Sequence, residues 1–269
     1  MITTITIMTI KEKVMKNTLK WVAIFLLLSS FILALYPTVS RLLTKKSCSK
    51  ATTDFDSAVN YIQEGSFEEA LDKGIIDEKG YLKKADYKLP VLFQEDIDRL
   101  YADSLDYNKI LESEQVFTRS SDFELASLNL SSYGISNGMY GYLSADSIGL
   151  TLPIYLGATE YNMRYGTAHL NLTSLPIGGL GTNTVLAGHT GYTGKTFFDN
   201  IRYLTEGDKV VVKNYFGTIN YRVRSMKNID STDLEDIYLK TNKDLLTLMT
   251  CSNGGTTRLI VICEREDND

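Results

Sequence analysis

Histidine and cysteine are scarce in this chain, and that scarcity narrows the chemistry it can carry. Among 269 residues there are two histidines, His169 and His189, and three cysteines, Cys48, Cys251 and Cys263. Three cysteines are too few for a disulfide framework, so free thiols are expected, with a Cys48 to Cys263 bridge open only to an exported protein. A mechanism that needs an imidazole must choose between two residues. Positive charge is also in short supply. The formal net charge is −5 and like charges form no long block, which leaves no basic surface for nucleic acid. No nucleic-acid partner is expected. No clear cluster of loop carboxylates is present, so neither a metal nor a cofactor is expected. What remains is an ordinary globular composition, 43% hydrophobic and 23% charged, long enough for a full core in one large domain or two small ones.

One long apolar run stands near the N-terminus. Residues 21–36 carry no charge and Pro37 closes them. The run is slightly shorter than the roughly twenty residues of an ideal span, and residues 17–19 and 37–39 extend it at the interface. No Ala-x-Ala-like cleavage site follows directly, so an uncleaved transmembrane anchor over 21–38 is expected rather than a signal peptide or a buried helix. Lysines and arginines flank both ends and do not settle orientation. The early position favours a cytoplasmic N-terminus and an exported body. Residues 1–20 are read as a cytoplasmic, disordered terminus.

From residue 52 to about 114 the spacing is helical: Phe55, Val59 and Ile62, then Phe67, Ala70 and Leu71, then Ile97, Leu100, Leu105 and Ile110. Asp54 and Ser66 are N-cap candidates, Ser66 with Glu69 three residues on as a capping box. Residues 119–137 are Ser-rich and weakly periodic, a loop. The span 39–137 therefore reads as a helical juxtamembrane region. From Gly138 the character changes. Short apolar or alternating runs recur at 139–143, 149–156, 184–187, 209–215, 218–223, 245–250 and 258–263, separated by Gly, Asn and Asp turns. That pattern predicts a mostly β barrel or sandwich over 138–269, with Pro153 and Pro176 at strand starts or edges and short helices at 195–204 and 233–237.

Two strand tips in this region carry reactive side chains. The run from Leu245 ends at Cys251, the turn residues Ser252, Asn253, Gly254 and Gly255 follow, and the next strand starts at Arg258. The run from Thr184 ends in Ala187-Gly188-His189. A cysteine of ordinary acidity is only a few per cent thiolate at neutral pH, so a nucleophilic thiol needs a cation or base beside it. His189 can serve as that partner and as the acid for a leaving amine; Arg258 suits an oxyanion or an acyl substrate. The same residues also read blandly, as a buried thiol, a satisfied loop histidine and a surface arginine.

Several segments, in order, resemble the sortase family. Thr247-Leu248-Met249-Thr250-Cys251 matches its TLxTC motif, and Ala187-Gly188-His189 is similar to the strand end before its catalytic histidine. Arg258 falls where the family's essential arginine follows the cysteine. Leu152-Pro153-Ile154-Tyr155-Leu156-Gly157 resembles its L-P-I-x-x-G stretch, with Ala158 where Thr is usual. Residues 166–179 resemble its G-x-G-H-x-x-x-T-S-L-P-x-G-G segment, with Ala168 in place of the second Gly, and the F-x-x-L and G-D positions follow at 197–208.

The resemblance implies a closed sortase β-barrel and a cysteine transpeptidase. Cys251 would be the nucleophile, His189 the general acid or base and Arg258 the carbonyl stabiliser; Thr250 would position the nucleophile or the substrate. The implied substrate is an LPxTG-like sorting signal of a surface protein or pilin, passed through a thioacyl intermediate to an amine acceptor, either a pilin lysine or a peptidoglycan precursor. The implied location is the cell membrane, single-pass, with the catalytic domain outside. His169 falls at a family position outside the catalytic set and is expected to pack. Cys263, five residues beyond Arg258, faces the opposite side of an unbroken strand and is expected in the core. The segments look most like class C, the pilin-polymerising sortases, which often carry an Asp-Pro-aromatic lid. This chain has no Asp-Pro. Asp122-Phe123 is the nearest pair, a degenerate lid or merely a loop. Class C enzymes also commonly have a C-terminal apolar anchor, whereas residues 264–269 are acidic, and a single N-terminal anchor is more like class B or D. Two other functions fit the same residues: a sortase-like module that binds extracellular proteins without catalysis, and a cysteine peptidase that only hydrolyses.

Overall fold

The computed structural model describes residues 2–84, 89–115, 120–191, 195–239 and 242–266, and the side chains of all of these except 2–14, 114, 120 and 121. The start of the Ser-rich loop at Arg119 and the tail at 267–269 lie outside the described residues. The chain divides into an N-terminal unit over Met1–Leu43 and a main body that begins at Thr44.

Helix α1 (Ile2–Asn60) carries the apolar run. Trp21, Phe25, Leu27 and Leu33 are 70–73% exposed, so this surface is not spent on a core. The helix is long and apolar enough to cross a membrane. Pro37 lies inside it instead of closing it, at the cost of one backbone hydrogen bond. Helix is present from Ile2, where the sequence reads as disordered, and it continues past Asp54, which is therefore no N-cap; Asp54 pairs instead with Lys50 one turn back. Ser66 does cap α2 (Phe67–Asp72), its hydroxyl accepting the Glu69 N–H at 3.3 Å. A longer helix, α3 (Gln94–Glu114), follows.

Eight strands are described: β1 (Met139–Ala145), β2 (Leu150–Leu156), β3 (Thr167–His169), β4 (Thr182–Ala187), β5 (Lys209–Asn214), β6 (Gly217–Asp230), β7 (Asp244–Ser252) and β8 (Thr257–Arg265). They close into a barrel in the order β1-β2-β3-β4-β7-β8-β6-β5. Two neighbouring pairs, β2–β3 and β4–β7, are parallel. Mostly β with a closed barrel is thus the observed class, and closure leaves no free sheet edge.

The departures from the sequence expectation have local causes. β3 is only Thr-Ala-His, too short and too polar to show a period. β6 runs on to Asp230 rather than ending at Val223, because its register against β8 shifts between Val223 and Ser225 and the alternation breaks there. The helices expected at 195–204 and 233–237 are only single 3-10 turns, Ile201–Tyr203 and Glu235–Ile237. Pro153 stands within β2, opposite Tyr142, but the pairing of β2 with β3 begins only at Ile154, so no second ladder needs its missing N–H.

The barrel interior is filled by alternate residues of its strands, among them Leu143, Ile154, Leu186, Leu246, Leu248, Val261 and Cys263, with Phe197 and Phe198 from the loop after β4. A second cluster covers one outer face. There Phe55 of α1 and Leu100 of α3, both fully buried, meet Tyr140 and Tyr215. The Phe55 ring lies 4.7 Å from Tyr215 and 5.7 Å, edge-on, from Tyr142. Phe55→Ala should therefore cost about 3–5 kcal/mol of unfolding free energy. Denaturant unfolding of the two proteins measures it, and a loss below about 1 kcal/mol would show that the end of α1 is not packed as described.

Candidate active site

The site is built at one end of the β4–β7 pair. Ala187 stands opposite Met249 in the parallel register, and the ladder continues one step further as the Gly188 N–H donates to Met249 O at 3.1 Å. Buried Thr250 then donates its hydroxyl to Gly188 O at 2.7 Å. The next residues of each strand, His189 and Cys251, are thereby set side by side. Gly188 has a steric reason to be glycine: a Cβ there would lie 2.7 Å from the Phe198 ring. The Phe198 N–H in turn donates to His189 O at 2.9 Å, fixing the backbone on which the imidazole is carried.

Arg258 arrives by the β7–β8 hairpin. Its Cα is the register partner of Cys251. The turn between them uses positive φ at Asn253 (47°), Gly254 (65°) and Gly255 (93°), conformations that glycine and asparagine adopt most readily. Arg258 Nη1 donates to Gly255 O at 2.9 Å and Thr257 O at 3.2 Å, which anchors the half-buried guanidinium over that turn. Cys251 itself is exposed.

Cys251, His189, Arg258 and Thr250 line one cavity of about 260 Å³. The rest of its wall is largely apolar: Phe123, Ala158, Met163, Leu170, Leu234 and Met249. Buried Asn183 of β4 secures part of that wall. Its Nδ2 donates to Asp236 O (3.0 Å) and Tyr238 O (3.2 Å) beside Leu234, and its Oδ1 accepts the Thr247 hydroxyl at 2.9 Å. A thiol, an imidazole and a guanidinium at the mouth of an apolar cavity are the groups that acyl transfer through a thioester requires.

The other sequence candidates are distributed as follows. Phe123 is in the cavity wall, and its carbonyl accepts the N–H groups of Ala158 (2.8 Å) and Asn171 (3.3 Å). Asp122 is held by its carbonyl, which accepts Asn171 Nδ2 at 3.0 Å. The segment is seated closely: a Cβ on Gly157 would lie 2.5 Å from Glu124 O. Cys263 is fully buried, and that burial pushes its thiol far up from the ordinary cysteine range. None of the three cysteines forms a disulfide. His169 is fully buried away from this cavity's lining. Its Nε2 lies 3.0 Å from both Thr173 O and Ser174 O, so that nitrogen carries the proton, and Nδ1 accepts from Ser127 at 3.1 Å. Burial holds its pKa down at about 4. The sequence reading missed the apolar wall; Leu170, next to His169, carried no periodic signal of its own. Among the described residues no group of three or more His, Cys, Asp and Glu is placed to hold a metal ion.

Fold and site together define a closed β-barrel with a thiol–imidazole–guanidinium set at one rim. The family model of the sortase domain matches residues 143–266. Pilus-related sortase C of Group B Streptococcus is 31% identical over 64% of this chain and 90% of its own, with a TM-score of 0.56. Group B Streptococcus pilus island 1 sortase C2 is 30% identical over 64% of this chain and 98% of its own, with a TM-score of 0.57. Sortase C-1 from Streptococcus pneumoniae is 28% identical over 65% and 92%, with a TM-score of 0.59. No curated protein matches the chain. The chain belongs to the sortase family, a family of transpeptidases, and these structural neighbours are class C sortases.

His169 makes stability depend on pH. Its folded pKa of about 4 lies below the ordinary 6.5, so above pH 6.5 neither state takes up the proton and the stabilisation is complete. Between 6.5 and about 4 only the unfolded chain is protonated, and stability should fall by on the order of 3 kcal/mol. Urea unfolding across that window should show a shallower slope for His169→Gln; an identical slope would contradict the assignment.

Proposed function

We propose that this sortase is a single-pass membrane enzyme whose exported domain cleaves an LPxTG-like sorting signal and joins it to an amine, through a thioacyl intermediate on Cys251. The observation that carries the reading is the convergence of Cys251, His189 and Arg258 on one apolar cavity, in a chain of this family. The apolar α1 surface supports the anchor.

In the first half-reaction Cys251 Sγ attacks the threonine carbonyl of the signal. Its proton passes to His189 and on to the departing glycine nitrogen as the C–N bond breaks. Arg258, fixed over the Gly255 turn, neutralises the oxyanion that forms between those events. In the second half an amine attacks the thioester, its proton returns through His189 to the sulfur, and the C–S bond breaks. Thr250 positions rather than reacts, since its hydroxyl hydrogen is committed to Gly188 O. The Leu and Pro of the signal suit the Met, Leu and Phe wall, which desolvates them. Phe123 occupies part of that wall, which supports the pair Asp122-Phe123 as a lid. The acceptor is a pilin lysine, a choice supported by the pilus-related description of the neighbouring sortases.

The full chain in detergent, given a Leu-Pro-x-Thr-Gly peptide library, should form a thioacyl adduct visible by mass spectrometry. Cys251→Ala should lower cleavage by at least about a thousandfold while leaving the unfolding midpoint in place. Cleavage that survives in that variant overturns the nucleophile. Product yield with and without an added amine separates transfer from plain hydrolysis.

A further inference from the structure

Cys251 borders a second cavity, of about 580 Å³, whose described wall is otherwise Thr190, Gly191, Asp199, Arg202 and the turn residues 252–255. Among the described residues Cys251 alone lines both cavities. The two differ in chemistry. The first is walled mainly by methionine, leucine and phenylalanine, with Glu124, Asp233 and Arg258 also in its lining; the second has no large apolar side chain among its described residues and offers hydroxyls, an amide, glycine backbone, one carboxylate and one guanidinium.

The carboxylate is Asp199, and its place is fixed. Its Oδ1 accepts the Gly191 N–H at 2.8 Å and its Oδ2 the Phe197 N–H at 3.1 Å. A carboxylate has about four acceptor sites, so each oxygen keeps capacity for a further donor. Arg202 lies in the same wall, bonded to other atoms than the carboxylate: Nε donates to the main-chain oxygen of Asp199 at 3.0 Å and Nη2 to the Thr190 hydroxyl at 3.3 Å. At Gly191, Gly254 and Gly255 the space a Cβ would fill has no atom of the described residues within 4 Å, so an incoming chain can lie against this wall.

A transpeptidase must admit a second substrate while the acyl chain of the first still fills its own site. Its sulfur therefore needs an approach from a different side. We propose that the Asp199 cavity is that approach, and that Asp199 holds the primary ammonium of an acceptor lysine beside the Cys251 thioester; this rests on the transpeptidase reading above. The ammonium arrives charge-paired with Asp199 and releases one proton to solvent. The free amine attacks the thioester carbon, the C–N bond forms as the C–S bond breaks, and its second proton passes through His189 to the Cys251 sulfur. A carboxylate raises the local concentration of the cationic acceptor and gives nothing to a neutral one.

The test uses that difference. With the full chain in detergent and a saturating Leu-Pro-x-Thr-Gly donor, the acceptors are an Nα-acetylated lysine peptide, cationic at neutral pH, and hydroxylamine, which is uncharged there. Asp199→Asn should raise KM for the lysine peptide about tenfold relative to KM for hydroxylamine, the loss of one charge-assisted contact. Asp199→Glu should recover part of it. Equal changes for both acceptors, or none, overturn the ammonium site, the first outcome marking Asp199 as merely structural. A triglycine acceptor that saturates more tightly than the lysine peptide overturns the lysine in favour of a cell-wall amine. If the unaltered chain forms no thioacyl adduct at all, the transpeptidase reading falls and the acceptor site with it.

Discussion

The parallel pairing of β4 with β7 is the constraint on which the rest depends. Parallel neighbours cannot be joined by a tight turn and need a long crossover. Here the crossover contains β5 and β6, which themselves close the barrel by pairing with β1 and β8. The register that puts Ala187 opposite Met249 thus requires the whole barrel, and it leaves both strands ending at the same rim. A one-residue slip would turn Thr250 away from Gly188 O and separate imidazole from thiol. Only Arg258 reaches Cys251 by a short-range route, the β7–β8 hairpin.

The two ends of β7 are treated differently. At its start, buried Asp244 gathers the Gly179 N–H (2.6 Å), the Tyr221 hydroxyl (3.1 Å) and Arg265 Nη1 (3.1 Å), tying β7 to β6, β8 and the loop before β4. A buried carboxylate is tolerable only with that many donors, and a fully satisfied node of this kind holds strand register. At the other end Cys251 is exposed between two cavities. One end of the strand is thus locked and the other is open. His169 belongs to the locked part: its three hydrogen-bond partners connect β3 to the 173–174 turn and to Ser127.

Local signals in the sequence were strong wherever the physics is local. The uncharged run at 21–36 reads directly as surface that water excludes, and Ser66 with Glu69 reads as a helix cap because the bond spans one turn. Most strands declared themselves as short apolar or alternating runs, and the side chains with chemistry to offer by standing at or next to the strand tips. Alternation fails at the Val223–Ser225 bulge, and it has no length in which to appear in β3, so those pieces were invisible. The place of Phe123 was equally hidden, since it is held by bonds to Ala158 and Asn171, far away along the chain.

By itself the sequence determined the β-rich class, the apolar N-terminal helix, the family, and the three residues with chemistry to offer, because periodicity, composition and ordered motifs are properties of neighbours along the chain. Only the tertiary structure decided that those three share one cavity, that Phe123 walls it, and that Asp199 lines a second cavity together with Cys251. Those facts are contacts between residues remote in sequence, set by strand register and barrel closure. No spacing along the chain encodes them.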